Sequence, residues 1–467
     1  MVQRKKIILF GTGKNYQTYK KYFPNEKIVA LLDNDSTKQG TIMDGHTVLD
    51  PSEIHSVMYD AIFCLGIHWQ EMKNQLMSLG VDSSKIFCQD DIREVLGNQV
   101  VDFPVKYFHQ DKMHQLVRGE RIVLLAHDLS YTGATIVLLY LADVLTELGY
   151  HITFASAEAG DMLNFFLERN ISLIIDENLR TRYLDELPWV DDFGLVVVNT
   201  LEYAPLLTSH QVHPSIIWWL HDSPMLYAMR NMERLKNISL DGIYLCAAGE
   251  VARQAFKRYW PDVAISILPY GLPDFYDENL VKRDDDFFIF AIVGGVIERK
   301  AQDIFLDAVE ILPADYRRRC KFLIIGDGQG GFARQIKERA HAMQHVQFLG
   351  NISREEIKLL YHSISVLVCP SRSDTLPVVV AEAFMNHVPA IVSDVTGMTA
   401  FVKYEENGLV CRTGSSSDLA DKMVWMIDHE EYIQTMGDSA RKVFDDEFSI
   451  KKLRKNIARI LKNISAQ

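Results

Sequence analysis

The chain is poor in the features that staple small folds, bind metal ions or cross membranes. Its six cysteines (Cys64, Cys88, Cys246, Cys320, Cys369 and Cys411) are scattered, with no C-x-x-C pair and no metal-ligand spacing. A disulfide framework is excluded, and the thiols read as reduced, mostly buried small hydrophobes. No apolar run reaches the roughly 20 residues of a membrane span. The start MVQRKKIILFGTG is basic, but its apolar run Ile7 to Phe10 stops at a glycine turn, too short for the apolar region of a secretory leader. A cytoplasmic protein is expected, at most touching a membrane surface. Positive charge is also short: 49 Lys and Arg face 62 Asp and Glu, a net charge of -13. A surface built generally for nucleic acid is therefore excluded.

What is present is ordinary for a globular protein, 48% apolar and 24% charged residues, over 467 residues that call for two or three domains. The first, residues 1–110, alternates strands (KKIILF, IVALLD, DAIFC) with the amphipathic helix WQEMKNQLMSLG, closed by Gly80. This pattern predicts a small parallel α/β sheet. Gly11 and Gly13 form a G-x-G, with Asp33 twenty residues after Gly13, as in a dinucleotide fold. Tyr16 stands where a third glycine would allow close helix–strand packing. Gly11, Gly13 and Asp33 are thus a candidate nucleotide site, and a structural or partner-docking Rossmann-like domain is the favoured reading. Such a domain also offers a surface for oligomer formation.

After a polar linker, roughly Gln110 to Glu120, the segment RIVLLAHDLSYTGATIVLLYLADVLTELG opens a second α/β domain, residues 118–278. Val137, Leu141, Val144, Leu145 and Leu148 repeat at three and four, a helix closed by Gly149. HITFAS, SLIID, LVVVN and SIIWWLHD read as further strands. Gly133 in YTGA, just before the helix, allows close approach of a phosphate to the backbone. His221 in WWLHD ends a strand, and Asp222 beside it either orients the imidazole or caps the next helix. A third domain, residues 279–447, repeats strand and glycine turn in FFIFAIVGGVIERK and KFLIIGDG and continues through VQFLG, SVLVCPS and PAIVSD. Two parallel α/β domains in series, with motifs at the carboxyl ends of strands, predict a ligand cleft between them. Residues 448–467 form a basic tail with six Lys or Arg and no acid. Leu453, Ile457, Ile460, Leu461 and Ile464 share one face, which predicts a terminal helix packed across the domains. Contact of its basic side with anionic lipid is the second reading.

The segment PSRSDTLPVVVAEAFMNHVP, Pro370 to Pro389, carries the most chemistry. Asp374 and Glu382 lie eight residues apart, about 12 Å and a little over two turns of helix. Pro377 follows a helix start whose free N–H groups and dipole favour a phosphate. An acid at each end and an anion site between them fit a sugar nucleotide. In GGVIERK, Arg299 and Lys300 follow the Gly294–Gly295 turn and suit a pyrophosphate.

The set resembles the retaining glycosyltransferases of family 4, whose acidic-x7-acidic motif places Asp374 first and Glu382 second. The resemblance extends to LIIGDGQG before it and to VSDVTGM and ENGLVCRTG after it, from about residue 120 to 445. It implies a GT-B fold, two Rossmann-like domains facing a cleft, here preceded by a smaller Rossmann-like α/β domain. It implies a cytoplasmic, peripheral-membrane hexosyltransferase of polysaccharide biosynthesis. A sugar would pass with retention from a nucleotide sugar to a hydroxyl of a surface glycan or lipid-linked acceptor, with no essential metal or other cofactor. Asp374 with the backbone of Thr375, Leu376, Pro377 and Val378 would hold the sugar, Glu382 the ribose hydroxyls and His221 the transferred sugar. Gly326 would shape the wall near the base. Lys300 matches the lysine of the family's donor loop; Gly295 stands where the family has arginine, and Arg299 is the candidate substitute. Domain closure would bring His221 and Gly133 toward Lys300 and Glu382. Two rivals stay open: a catalytically inactive partner of an active transferase, and a nucleotide-sugar epimerase. A phosphorylase would need a pyridoxal lysine site that the chain does not offer.

Overall fold

The structure, a computed structural model, describes residues 5–109, 117–209, 214–279 and 287–465. The chain divides into two compact units. One comprises residues 1–130, 152–216 and 225–243; the other comprises residues 131–151, 217–224 and 244–467. Most of the expected linker lies outside the described residues.

The first unit holds two sheets. In the first, β1 (Ile7–Phe10), β2 (Ile28–Leu32), β3 (Ile42–Met43), β4 (His46–Leu49), β5 (Ala61–Cys64) and β6 (Ile86–Cys88) run in the order β3-β4-β2-β1-β5-β6. Strand β1 is buried on both faces, as its uninterrupted IILF run requires, and pairs in parallel with β2 and β5. The helix Trp69–Ser78 ends as expected: Gly80 takes φ +86° and its N–H reaches the Met77 carbonyl. The other sheet of this unit runs β11-β8-β9-β10-β7, from β7 (Lys106–Phe108), β8 (Arg121–Ala126), β9 (His151–Ser156), β10 (Ser172–Ile175) and β11 (Leu195–Asn199). Strand β7 lies in the stretch expected to close the first domain, yet it pairs antiparallel with β10.

The two sheets are fastened by buried polar chemistry. Arg230 reaches Asp90 at 3.3 Å, with side-chain exposures of 9% and 2%. Asn231 donates its backbone N–H to Asp90 and its amide to Asp91, and Tyr22 donates its hydroxyl to the Glu177 carbonyl at 2.9 Å. Asn178 binds both backbone groups of Phe103. Groups so deeply buried are tolerated only when paired.

The second unit contains the strand trio β12 (Ser215–Leu220), β13 (Ile243–Ala247) and β14 (Ser266–Ile267), adjacent in that order. Its main sheet holds β15 (Phe288–Val293), β16 (Cys320–Ile325), β17 (Val346–Gly350), β18 (Val366–Cys369), β19 (Ala390–Ser393) and β20 (Gly408–Cys411), in the order β17-β16-β15-β18-β19-β20. All five pairings within it are parallel. Helices Gln302–Ile311, Gly330–Ala342 and Ser416–Asp428 pack their apolar stripes on this sheet around Phe290, Phe322 and Leu409. All six cysteines are free and buried. No helix among the described residues is long and apolar enough to cross a membrane.

Candidate functional site

The carboxyl ends of β15, β16 and β18 bring the donor-loop residues together. Gly294 leaves β15 with φ +141°, and Gly326 leaves β16 with φ +122°. A Cβ on Gly326 would sit 2.2 Å from the Gly294 carbonyl oxygen, so this close crossing of two turns requires glycine. The short 3-10 turn Glu298–Lys300 then ends at Ala301, a buried non-glycine residue with φ +59°. That costly conformation holds the Lys300 side chain over Gly294, within about 4 Å of where a Cβ would be. Gln302, fully buried, donates to the Gly295 carbonyl at 3.0 Å and fixes the turn.

Lys300 Nζ donates to Asp374 Oδ2 at 2.5 Å, and Arg299 reaches the same oxygen at 3.1 Å. Arg299 also donates to the Ser373 carbonyl at 2.8 Å. Arg299, the expected substitute for the family arginine, therefore shares the lysine's partner. The neighbouring Arg372 grips Asp303 with two bonds, 2.9 and 2.6 Å, and its backbone N–H reaches the Arg299 carbonyl. The 298–303 turn and the 371–374 loop are thus tied together by these bonds.

Asp374 precedes the helix Val378–Met385, whose N-cap is Pro377, and no side chain caps its start. The helix begins one residue after the proline, not before it as the sequence suggested. Proline pre-sets φ and has no N–H to satisfy, while the first amides beyond it remain available to a ligand. Thr375 and Leu376 are buried, and a Cβ on Gly397 would sit 1.9 Å from the Thr375 carbonyl oxygen. The VSDVTGM motif therefore acts as a backstop for the loop that carries Asp374.

Gly133 opens the helix Gly133–Glu147, capped by the Thr132 hydroxyl. A Cβ on Gly133 would lie 3.5 Å from Val378. Two helix N-termini consequently meet near the Lys300 cluster, and both dipoles favour an anion there. Ser223, two residues after His221, accepts from the Ser373 hydroxyl at 2.8 Å.

Glu382 lies in the second turn of its helix, 3.4 Å from the Tyr361 hydroxyl. Burial pushes its carboxyl up to about 7, against the opposing pull of Arg354 and the Tyr361 bond. His221 packs against Trp219, ring centroids 4.3 Å apart, and its Nε2 is buried without a protein partner. Burial drives this imidazole down to about 3, so it is neutral at ordinary pH. Tyr270, 2% exposed, escaped the sequence reading. Its hydroxyl is buried without a partner, and burial, then Glu382 and Asp374, raise it well above the usual phenol range. Arg354 was also missed; it bonds the Tyr140 hydroxyl, and its charge pulls Glu382 downward. The tyrosine of PYGLPD and the arginine after a capping serine carry no local signal of this role.

The G-x-G of the first sheet is a different environment. Gly11 takes φ +92° at the end of β1, and Gly13 is the N-cap of the six-residue helix Lys14–Tyr19. Asp33 accepts from the Thr12 N–H at 2.9 Å and from the Thr12 hydroxyl, and its other oxygen accepts from the Asp35 N–H. Those hydrogen bonds hold its carboxyl below the usual carboxylate range despite burial. The acid that a ribose would need is already employed in holding the loop.

Comparison with known proteins adds to this geometry. A family model described as glycosyl transferases group 1 matches residues 276–443, and one described as glycosyl-transferase family 4 matches residues 118–260. A third, C2185-like, N-terminal, matches residues 3–87. An uncharacterized glycosyltransferase of Methanocaldococcus jannaschii is 25% identical over 191 residues, 40% of this chain and 52% of that protein. A Campylobacter jejuni enzyme, the GalNAc-alpha-(1->4)-GalNAc-alpha-(1->3)-diNAcBac-PP-undecaprenol alpha-1,4-N-acetyl-D-galactosaminyltransferase, is 24% identical over 223 residues, 47% of this chain and 60% of that protein. The chain spans about half or less of the length of the first curated relatives it matches. Among solved structures, Anabaena HepE in complex with UDP and glucose superposes with a TM-score of 0.64 at 15% identity, covering 74% of this chain and all of that one.

Proposed function

Matched by both glycosyltransferase models over more than half its length, the chain belongs to the group 1, family 4 glycosyltransferases of GT-B fold, with an added N-terminal α/β domain, and we propose that it transfers a hexose-type sugar, with retention, from a nucleotide sugar to a hydroxyl of a surface glycan or lipid-linked acceptor. The observation that carries this reading is the meeting of Lys300 and Arg299 on one oxygen of Asp374, directly before an uncapped helix start.

The division of labour follows from chemistry at each group. Lys300, Arg299 and the two helix N-termini stabilise negative charge growing on the departing diphosphate. Asp374 and the backbone from Thr375 to Val378 accept and donate to sugar hydroxyls. Glu382, once ionised, accepts from the ribose diol. Neutral His221 offers Nε2 to a hydroxyl of the transferred sugar and stores no charge against it. The acceptor oxygen bonds the anomeric carbon on the face from which the diphosphate leaves. The bond to the phosphate oxygen breaks, and the acceptor's proton passes to that oxygen. Gly294, Gly295 and Gly326 keep the wall thin enough for the nucleotide. The proposed domain limits are 1–110, 118–278, 279–447 and 448–467; the six-stranded sheets β1–β6 and β15–β20 fall wholly within the first and third, whereas β7 of the first joins the sheet of the second. A location at the cytoplasmic face of a membrane fits an acceptor carried on lipid, as in the named Campylobacter relative.

Release of free nucleotide from a panel of sugar donors, UDP-glucose first, with and without lipid-linked acceptor, tests the reading. Acceptor-dependent release with one donor is expected. No release from any donor with acceptor present favours an inactive partner, and interconversion of a donor without acceptor favours an epimerase.

A further inference from the structure

The C-terminal helix Ile450–Ser465 separates its two chemistries completely. Leu453, Ile457 and Ile460 are 1% exposed, and Leu461 is buried beside them. This face packs on the helix Gly133–Glu147 and on Gly271, where a Cβ would lie 2.6 Å from Leu453. Leu272 bonds the Phe448 carbonyl at 2.7 Å, and Arg454 pairs with Glu147. The apolar face is therefore spent inside the protein, and insertion of that face into lipid is not open to the folded chain.

The opposite face carries Lys451, Lys455, Arg459 and Lys462, all exposed. Their spacing of four, four and three residues stacks them in one stripe about 16 Å long. Among the described residues none of the four is in an ion pair, whereas the flanking Lys452 and Arg454 are held by Glu447 and Glu147. The tail has six cations and no acid, so the remainder of the chain carries -19 of the total -13. A rigid helix with four uncompensated cations in line is presented by an otherwise acidic protein.

We propose that this stripe docks the protein on an anionic phospholipid surface by charge alone, a reading that rests on the lipid-linked acceptor proposed above and gives it a location on the molecule. A straight, convex row of cations touches a plane along its whole length. It offers no aromatic side chain for base stacking and no cleft for a nucleic-acid strand. Attraction acts within a Debye length of about 8–10 Å and fades with salt. Each cation near an anionic leaflet strengthens binding about fivefold, several hundredfold for four together.

Sedimentation with vesicles tests this on the full chain. Wild type is expected to bind phosphatidylcholine vesicles containing 30% phosphatidylglycerol at 50 mM salt and to release at 500 mM. The variant K451Q/K455Q/R459Q/K462Q should lose that binding by two orders of magnitude or more while keeping its melting temperature. K451R/K455R/K462R should retain it. Equal binding to pure phosphatidylcholine, equal binding by the glutamine variant, or stronger capture by duplex DNA at the same salt would overturn the proposal. Nucleotide release by the glutamine variant with a soluble acceptor should match wild type. A failure of donor turnover therefore counts against the transferase reading, and a failure of vesicle binding against the stripe.

Discussion

Replacing Glu382 by glutamine isolates the consequence of burying an acid for a substrate not yet bound. The side chain titrates at about 4.5 in an unfolded chain and is pushed up to about 7 in the fold, by burial first. The sign follows from proton counting. Between those two values the folded state keeps a proton that the unfolded chain has released, so stability falls as pH rises. Below 4.5 both states are protonated and no cost remains. Above 7 both are ionised and the cost is complete, about 3 kcal/mol from the displacement at 1.36 kcal/mol per pH unit. The side chain is not wholly shut off from solvent, which reduces the expected figure to about 2 kcal/mol. Glutamine keeps the shape and the acceptor oxygen facing Tyr361 but cannot ionise. Glu382→Gln should come within a few tenths of a kcal/mol of wild type at about pH 4, open a gap from about pH 5 upward and exceed wild type at pH 8 by about 2 kcal/mol, or roughly 5 °C in melting temperature for a unit of this size. Thermal melts at about pH 4, 5, 6, 7 and 8 measure the gap directly. A gap that stays constant across the series would refute the argument, because only the ionisation of this carboxyl makes the two chains differ with pH.

Four further outcomes follow from the same site and from the first unit. Lys300→Ala removes the cation nearest the leaving group and should lower kcat/KM for the sugar donor about 10²–10³-fold; near-wild-type turnover would reject the donor-loop assignment. Asp374→Asn frees Lys300 and Arg299 from their acid, so a nucleoside diphosphate should bind more tightly and the intact sugar nucleotide less tightly in calorimetry. The His221 ring nitrogens should show no titration between pH 8 and 5 in 15N-edited spectra, since burial holds the imidazole at about 3. A midpoint near 6.5 would mean an exposed ring. Asp90→Ala leaves Arg230 buried without its closest acid and should cost about 3–5 kcal/mol in the first unit, read as earlier proteolysis of the segment before residue 110.

Much of the architecture was legible because long apolar strands end at glycine turns. The runs IILF, FIFAIV and CKFLII became strands β1, β15 and β16, and Gly80 and Gly149 closed helices. Short strands were not legible: β6 (Ile86–Cys88) is three residues between polar flanks, and β13 (Ile243–Ala247), though Asp241-Gly242 turns into it, is a short run that was not read as a strand. The membership of β7 in the second sheet depends on a pairing with β10 more than sixty residues away, which periodicity cannot carry. At the candidate site, charge was readable and geometry was not. Arg299 could be nominated as the substitute cation, but its sharing of Asp374 with Lys300 depends on the left-handed turn at Ala301, an unmarked alanine. Tyr270, Tyr361 and Arg354 sit beside Glu382 through the packing of three separate segments, and each looks like an ordinary core or surface residue in isolation.

The pairing of Lys300 and Arg299 with Asp374 also bears on which ligand the site prefers. A ligand that presents only phosphate must draw two cations away from a carboxylate that is 13% exposed, and it leaves that carboxylate without its partners. An uncharged sugar gives Asp374 hydroxyl donors but cannot compete for the cations. A sugar joined to a diphosphate does both at once: its phosphates take over Lys300 and Arg299, and its adjacent hydroxyls replace those donors at Asp374. Each partner of the broken ion pair is then satisfied by a different part of one molecule, so no buried charge is stranded. The uncapped amides after Pro377 follow directly on the Asp374 loop and would be free to contribute to the proposed phosphate contact. Once the glycosidic bond breaks, the sugar departs with the acceptor, and Asp374 loses its hydroxyl donors. The carboxylate would then compete again for Lys300 and Arg299 and weaken the hold on a nucleotide that remains. On the proposed reading, the ion pair that would select the intact donor on entry would also assist release of the spent nucleotide.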